Sequence, residues 1–320
     1  MVVVESPKWE PFERPVPEGV SGIDLPLGRR LKLPGRGTTF YREVPGPTPD
    51  APTVVLLHGW VASGGLNWFN AFAPLSPHFR VIAPDFRGHG RGIKNHRRFT
   101  LAACADDTAA LCREIGVERA IFCGYSMGGP IGQLIWKRHR DLVEGLVFSA
   151  TSSMFVPGLQ QRLLFASSMA LLAGTTRGTQ VVTRLPWVVR SHFPKGLREV
   201  QTGRPSRIQI WAAQEFRRHD MRLVLEAGTA IATFSSRRWI HEVDVPTTVL
   251  LTTKDRAVAP TAQLHLALAI DGAKIQRFDE GHTSPVLESF GDAITGACLS
   301  VEQSIRRKRR SSDRSTKRSN

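Results

Sequence analysis

Unbroken runs of β-branched and leucine residues at 53–59 (TVVLLHG) and 79–85 (FRVIAPD) predict strands buried on both faces. Further strands are predicted at 119–124 (RAIFCG), 145–150 (GLVFSA), 247–255 (TTVLLTTKD) and 274–278 (KIQRF). Between them the spacing turns helical. Residues 101–116 place Leu101, Ala105, Thr108, Leu111, Cys112 and Ile115 along one side, with Gly116 as the stop. Helices are also predicted over 66–75, 130–140, 261–270 and about 289–305. Two shorter strands, 29–34 and 38–44, precede the first buried run, with a proline-rich turn at 46–52. Strands alternating with helices in this way make βαβ units, hence an α/β protein whose mostly parallel sheet is covered on both faces.

The alternation stops after Thr151 and resumes at 247. Residues 152–243 show helical and loop patterns without a clear strand, so they are expected to be an insertion interrupting one sheet. The expected organisation is an irregular N-terminal arm over 1–28, a core of 29–151 and 244–304, the helical insertion 152–243, and a basic tail over 305–320. The tail sequence, RRKRRSSDRSTKRSN, is of low complexity, has nothing to bury and is expected to be disordered.

Charge sharpens this division. The 320-residue chain has a net charge of +15, of which residues 152–243 hold +8 and the last twenty +6. Four cysteines without metal-like spacing are expected to be free thiols in a reducing compartment, and no metal site is predicted. The N-terminus has neither the basic region nor the apolar length of a leader, and the longest apolar stretch, 163–174, is too short to span a bilayer. A cytoplasmic protein, at most peripheral to a membrane, is expected.

The chemistry gathers at GYSMGG, residues 124–129, where a buried strand gives way to a helix. Gly124-x-Ser126-x-Gly128 in that setting is a nucleophile elbow: the turn is tight enough to need small residues beside Ser126, and it lifts the hydroxyl clear of the sheet. A serine hydroxyl needs a base, and the base needs a carboxylate. Asp255 lies just beyond the 247–252 run and His282 just beyond 274–278, so both fall at the carboxyl ends of strands, on the same sheet edge as Ser126. Among ten histidines, His58 is expected to brace its loop, His89 to make a structural bond, His139 to end a helix, and His192, His219 and His241 to lie on the surface. Asp244, Asp271 and Asp279 compete with Asp255; Asp244 precedes the strand and Asp271 sits in a turn. For a developing oxyanion, one donor is expected to be the Met127 N–H and the other the Trp60 N–H, with Val61 the alternative.

Together LLHGW, VIAPDFRGHG, GYSMGG, TTKDRAVAP and GHTSPVLES resemble the α/β-hydrolase fold superfamily over about 38–151 and 244–300. The resemblance implies an eight-stranded, mainly parallel sheet, a cap inserted after the sixth strand and no cofactor. It also implies Ser126 as nucleophile, Asp255 as acid and His282 as base. Relatives often carry His where this chain has Tyr125 and Ser where it has Arg91. Serine at 126 also separates it from the epoxide hydrolases and haloalkane dehalogenases of the superfamily, which use aspartate.

The expected function is hydrolysis of a carboxylic ester through an acyl-enzyme. Thioesters, lactones, C–C bonds, cofactor-free haloperoxidase chemistry and a non-catalytic binding role are the alternatives. Apolar cap residues, among them Met154, Phe155, Leu159, Leu163, Leu164, Phe165, Met169, Leu171, Leu172 and Trp187, favour a small lipophilic ester. The basic cap and tail suit weak contact with an anionic membrane surface. No nucleic-acid module is recognisable, so no specific nucleic-acid binding is expected.

Overall fold

Alternate residues of the central strands feed opposite hydrophobic layers, as a pleated strand requires. Val55 and Leu57 point into one core with Phe122, Ile131 and Trp136. Val54 and Leu56 point into another with Trp68, Phe72, Phe290 and Ile294. The computed structural model describes residues 10–11, 25–156, 158–175 and 207–318.

The strands are β1 (Glu10–Pro11), β2 (Gly28–Leu33), β3 (Gly37–Val44), β4 (Thr53–Leu57), β5 (Arg80–Pro84), β6 (Ala120–Tyr125), β7 (Val143–Ser149), β8 (Thr247–Thr252) and β9 (Lys274–Phe278). They form one sheet in the order β1-β2-β3-β5-β4-β6-β7-β8-β9. From β5 to β9 the neighbours pair in parallel, while β1, β2 and β3 run antiparallel at one edge. The eight expected strands are β2–β9. The short β1 adds an edge pair within what the sequence suggested was an irregular arm.

Helices α3 (Leu101–Glu114), α4 (Gly128–Arg138), α8 (Pro260–Leu268) and α9 (Glu288–Arg318) cover the sheet. The helix expected over 66–75 is two short ones, α1 (Gly64–Trp68) and α2 (Phe72–Leu75). Ser63 Oγ caps α1 by accepting the Leu66 N–H at 3.2 Å. Pro74 has no N–H for the Asn70 carbonyl, so a single helix through both would be broken there.

The C-terminal expectation is corrected as well: α9 continues past residue 304 to Arg318. Its middle turns are anchored to the body. Ile305 is buried in the second core layer, Lys308 Nζ donates to the Asp244 carbonyl at 3.0 Å, and Arg309 pairs with Glu144. All four cysteines are buried and unpaired.

Between β7 and β8 the described part of the insertion comprises α5 (Leu159–Thr175), α6 (Arg207–Phe216) and α7 (Met221–Thr233). The inner side of α5 packs on α7, where Thr229 Oγ1 donates to the Ala166 carbonyl at 3.3 Å. Leu159, Leu163, Leu164 and Leu171 instead stand 57–71% exposed. These four leucines therefore face outward rather than lining an interior. Trp187 and His192 lie outside the described residues.

Candidate active site

Because β4 to β9 are parallel, the loops leaving them open along one edge of the sheet. The turn after β6 holds Ser126. Ser126 has φ +50°, a conformation that costs on the order of 1–3 kcal/mol and persists only where the surroundings impose it. They do so from both sides: its N–H donates to the Ser149 carbonyl at 3.0 Å, and its own carbonyl accepts the Gly129 N–H at 2.9 Å and Thr151 Oγ1 at 2.8 Å. The flanking glycines follow from the crowding. A Cβ on Gly124 would come within 2.5 Å of the Gly128 carbonyl oxygen, and one on Gly128 within 2.0 Å of that of Leu57.

Ser126 Oγ lies 3.1 Å from His282 Nε2, and His282 Nδ1 lies 2.8 Å from Asp255 Oδ2. The three side chains thus form one hydrogen-bonded chain from three strand ends. The Asp255 side chain is fully buried. Its Oδ1 accepts the Ala257 and Val258 N–H groups at 2.8 and 2.9 Å, and its Oδ2 accepts Thr252 Oγ1 at 3.0 Å. An acceptor-only carboxylate with every lone pair occupied draws the imidazole proton to Nδ1, leaving Nε2 free to accept from the serine.

The competing carboxylates are elsewhere. Asp244 accepts Trp136 Nε1 at 3.0 Å, Asp279 pairs with Lys254 at the surface, and Asp271 is exposed. Met127 occupies the N-terminal cap position of α4, and Trp60 follows β4. β4 and β6 are neighbours with Leu57 opposite Gly124, so the two candidate oxyanion donors come from adjacent strand ends. Val61 has φ +61°, which is rare for a β-branched residue.

His58 braces its loop: its Nε2 accepts the Phe86 N–H at 3.0 Å, which places its proton on Nδ1, facing the Gly59 carbonyl at 2.8 Å. His89 bonds the Arg87 carbonyl at 2.9 Å, and His139 ends α4 and meets Asp106. His241 is exposed, but His219 is not the surface residue expected. It is buried against the core, where its Nδ1 accepts the Gly90 N–H at 2.7 Å. Burial lowers the pKa of His58 well below its usual value, of His89 to about 3 and of His219 to about 4, with His58 and His219 each adding to or feeling the crowding around His89. All three are held neutral and serve as structure. Burial also raises Asp85 to about 6, although the Gly64 and Arg91 N–H groups bond it.

Three contacts escape sequence reasoning. The Tyr125 hydroxyl donates to the His282 carbonyl, tying the residue before Ser126 to the histidine loop. Burial and the nearby Asp255 carboxylate raise the Tyr125 pKa, so it remains a neutral donor. Gln263 of α8 braces the turn around Asp255, bonding both Thr252 and the Val258 carbonyl; it is the one polar side chain among the buried positions of that helix, which it shares with Leu266 and Ala267. Arg91 makes a bidentate pair with Glu215 of α6, both bonds 2.8 Å, and nothing in the local sequence announces a partner so far along the chain. Among the described residues, no cluster of His, Cys, Asp or Glu is arranged to hold a metal ion.

A model of the alpha/beta hydrolase fold matches residues 52–288. A putative carbamate hydrolase of Yersinia enterocolitica is 29% identical over 269 residues, covering 82% of this chain and 91% of that protein. A pimeloyl-[acyl-carrier protein] methyl ester esterase of Vibrio cholerae is 33% identical over 139 residues, covering 42% of this chain and 51% of its own length. Among solved structures, the enol-lactonase of Burkholderia xenovorans superposes with a TM-score of 0.66 at 26% identity, over 86% of this chain and 99% of that one.

Proposed function

This chain belongs to the α/β hydrolase fold family, and from that premise we propose that it is a serine hydrolase of carboxylic esters working through an acyl-enzyme. The observation that carries the reading is the unbroken chain Ser126 Oγ–His282 Nε2 and His282 Nδ1–Asp255 Oδ2, 3.1 and 2.8 Å long, at the strained elbow.

In this reading His282 Nε2 takes the Ser126 proton as Oγ attacks the acyl carbon. The carbonyl oxygen becomes an oxyanion facing the Met127 and Trp60 amides, each worth roughly 3–4 kcal/mol in such a role. Asp255 stabilises the imidazolium that forms. His282 then gives its proton to the leaving alkoxide, so the alcohol departs neutral. A water, deprotonated by the same nitrogen, attacks the acyl-enzyme and releases the acid, returning the proton to Ser126. The similarity to a methyl ester esterase and to an enol-lactonase supports an ester carbonyl as the reacting group, since a lactone is an ester closed into a ring. With the four leucines of α5 turned outward, the support for a lipophilic acyl chain comes from the apolar residues of the insertion that stay half-buried, Met154, Phe155, Phe165 and Met169.

The test is initial-rate hydrolysis of p-nitrophenyl esters from acetate to palmitate, with an enol-lactone alongside, by wild type and Ser126→Ala. Turnover that peaks at medium or long chains and vanishes in Ser126→Ala is expected. A folded wild type that cleaves none of them sinks the proposal.

A further inference from the structure

The loop after β4 is gripped by the second half of the insertion. Trp60 Nε1 donates to the Val224 carbonyl of α7 at 2.7 Å. In an α-helix that carbonyl also takes the N–H four residues on, here that of Gly228. The indole lies against the helix at the same place: a Cβ on Gly228 would come within 2.9 Å of Trp60 Cζ2 and 3.3 Å of Met169 Cγ. Glycine weakens a helix interior, and the approach of the indole accounts for its presence there.

The grip extends along the loop. Ser63 Oγ reaches Glu215 Oε2 at 3.4 Å, and between the two held residues Val61 keeps its left-handed φ of +61°. Glu215 and its neighbours are fastened in turn to the loop after β5. Arg91 pairs with Glu215, the Gly90 N–H donates to His219 Nδ1, and the Asp220 N–H donates to the Gly88 carbonyl at 2.8 Å.

We propose that the α6–α7 half of the insertion positions the oxyanion site, with the Trp60 indole latched into the notch at Gly228 to set the aim of the Trp60 and Val61 amides. The inference rests on the reading of Ser126 as the nucleophile. Trp60 then has two separable parts: its backbone N–H is the candidate donor, and its side chain is a positioning group. A donor aimed at the place where charge develops acts on the transition state more than on the bound ester. Disturbing the latch therefore lowers kcat and leaves KM nearly unchanged.

Two variants disturb it in different ways. Trp60→Phe keeps an aromatic ring and removes the donor to Val224. Gly228→Ala keeps the donor and pushes the ring, while alanine favours the helix. Each is assayed for kcat and KM with p-nitrophenyl butyrate, for inhibition by butylboronic acid and for thermal unfolding. The boronic acid forms a tetrahedral adduct on a reactive serine and so reports on the oxyanion site without turnover. The expected result is a fall in kcat of about tenfold in each variant, with boronic acid affinity falling by the same factor and KM held within about twofold. Gly228→Ala should also unfold no earlier than wild type. If kcat and boronic acid affinity stay within about twofold of wild type in both variants, the latch is overturned. A loss explained by a higher KM, or matched by a lower unfolding temperature, overturns it too, since the indole then only packs. A wild type inert to both ester and boronic acid overturns the nucleophile reading and the latch with it. A reactive wild type with unaffected variants overturns the latch alone.

Discussion

Replacing Asp255 by asparagine tests the chain of hydrogen bonds at its buried end. The amide oxygen of Asn can keep the Ala257 and Val258 N–H bonds, now 2.8 and 2.9 Å. Those donors hold it to one orientation, which turns its NH2 toward the position of Oδ2, 2.8 Å from His282 Nδ1. Two N–H groups cannot face one another, so His282 must accept at Nδ1 and carry its proton on Nε2. That proton points along the 3.1 Å contact with Ser126 Oγ, and the serine loses its base. A wrong tautomer with otherwise intact geometry costs a serine triad about 10⁴ in kcat. At 1.36 kcal/mol per decade this is about 5 kcal/mol of transition-state stabilisation. The loss should appear in kcat for p-nitrophenyl butyrate, while the unfolding temperature changes little because both backbone bonds to the side chain survive. Activity within about tenfold of wild type would refute the tautomer argument, and with it the part assigned to Asp255.

Tyr125→Phe removes the hydroxyl bond to the His282 carbonyl but keeps the buried ring, so it should cost about 1 kcal/mol in unfolding free energy and lower kcat several-fold; an unchanged kcat would leave the histidine loop independent of Tyr125. His219 has a folded pKa of about 4, lowered by burial and Lys94 and opposed by the Val61 carbonyl and Glu215. A depressed histidine contributes stability above its unfolded value near 6.5 and loses it as pH falls toward 4, here by about 3 kcal/mol. Denaturant unfolding at pH 7 and pH 4.5 should therefore show a shallower acid loss in His219→Gln, whose amide oxygen can accept the Gly90 N–H; identical losses would contradict the buried placement. The outward leucines of α5 and the basic length of α9 should bring the protein down with vesicles of anionic phospholipid at low salt and release it at high salt. Equal recovery with neutral and anionic vesicles would remove the electrostatic part of that expectation.

What could be read from the sequence was local. Strands β4 and β6 stand out because a strand buried on both faces has no position left for a polar residue, and the loop geometry of parallel strands then places Ser126, Asp255 and His282 on one edge. The rest depended on distant partners. The expected 66–75 helix overlooked the missing N–H of Pro74. The stretch RRKRRSSDRSTKRSN looked unable to make fixed contacts, yet Lys308 reaches the Asp244 carbonyl and Arg309 meets Glu144 on β7. His219 looked like a surface residue because the N–H it accepts belongs to Gly90, in a loop far back along the chain. Arg91 and Tyr125 are the two departures from the superfamily pattern, and the sequence pointed to no partner for either. Their partners are Glu215 in the insertion and the His282 carbonyl.

Those partners bear on why the cap half is fastened by polar groups at all. A buried ion pair such as Arg91–Glu215 adds little net stability over well-packed hydrophobic residues, because desolvation offsets most of the attraction. What it adds is direction: a bidentate guanidinium–carboxylate pair is satisfied in one orientation, whereas apolar helix faces can slide. The described contacts divide in the same way. α5 meets α7 largely through small and apolar residues and turns its leucines outward. The 215–226 stretch is pinned to the core by Arg91, Gly90, Gly88, Trp60 and the Phe99 N–H, which donates to Glu226. An oxyanion donor must be aimed to within a fraction of an ångström to matter in the transition state. Under the oxyanion role proposed for the loop after β4, fixing the α6–α7 half of the insertion by directional bonds, while α5 meets it through packing and the single bond from Thr229 to Ala166, is the arrangement that requirement favours.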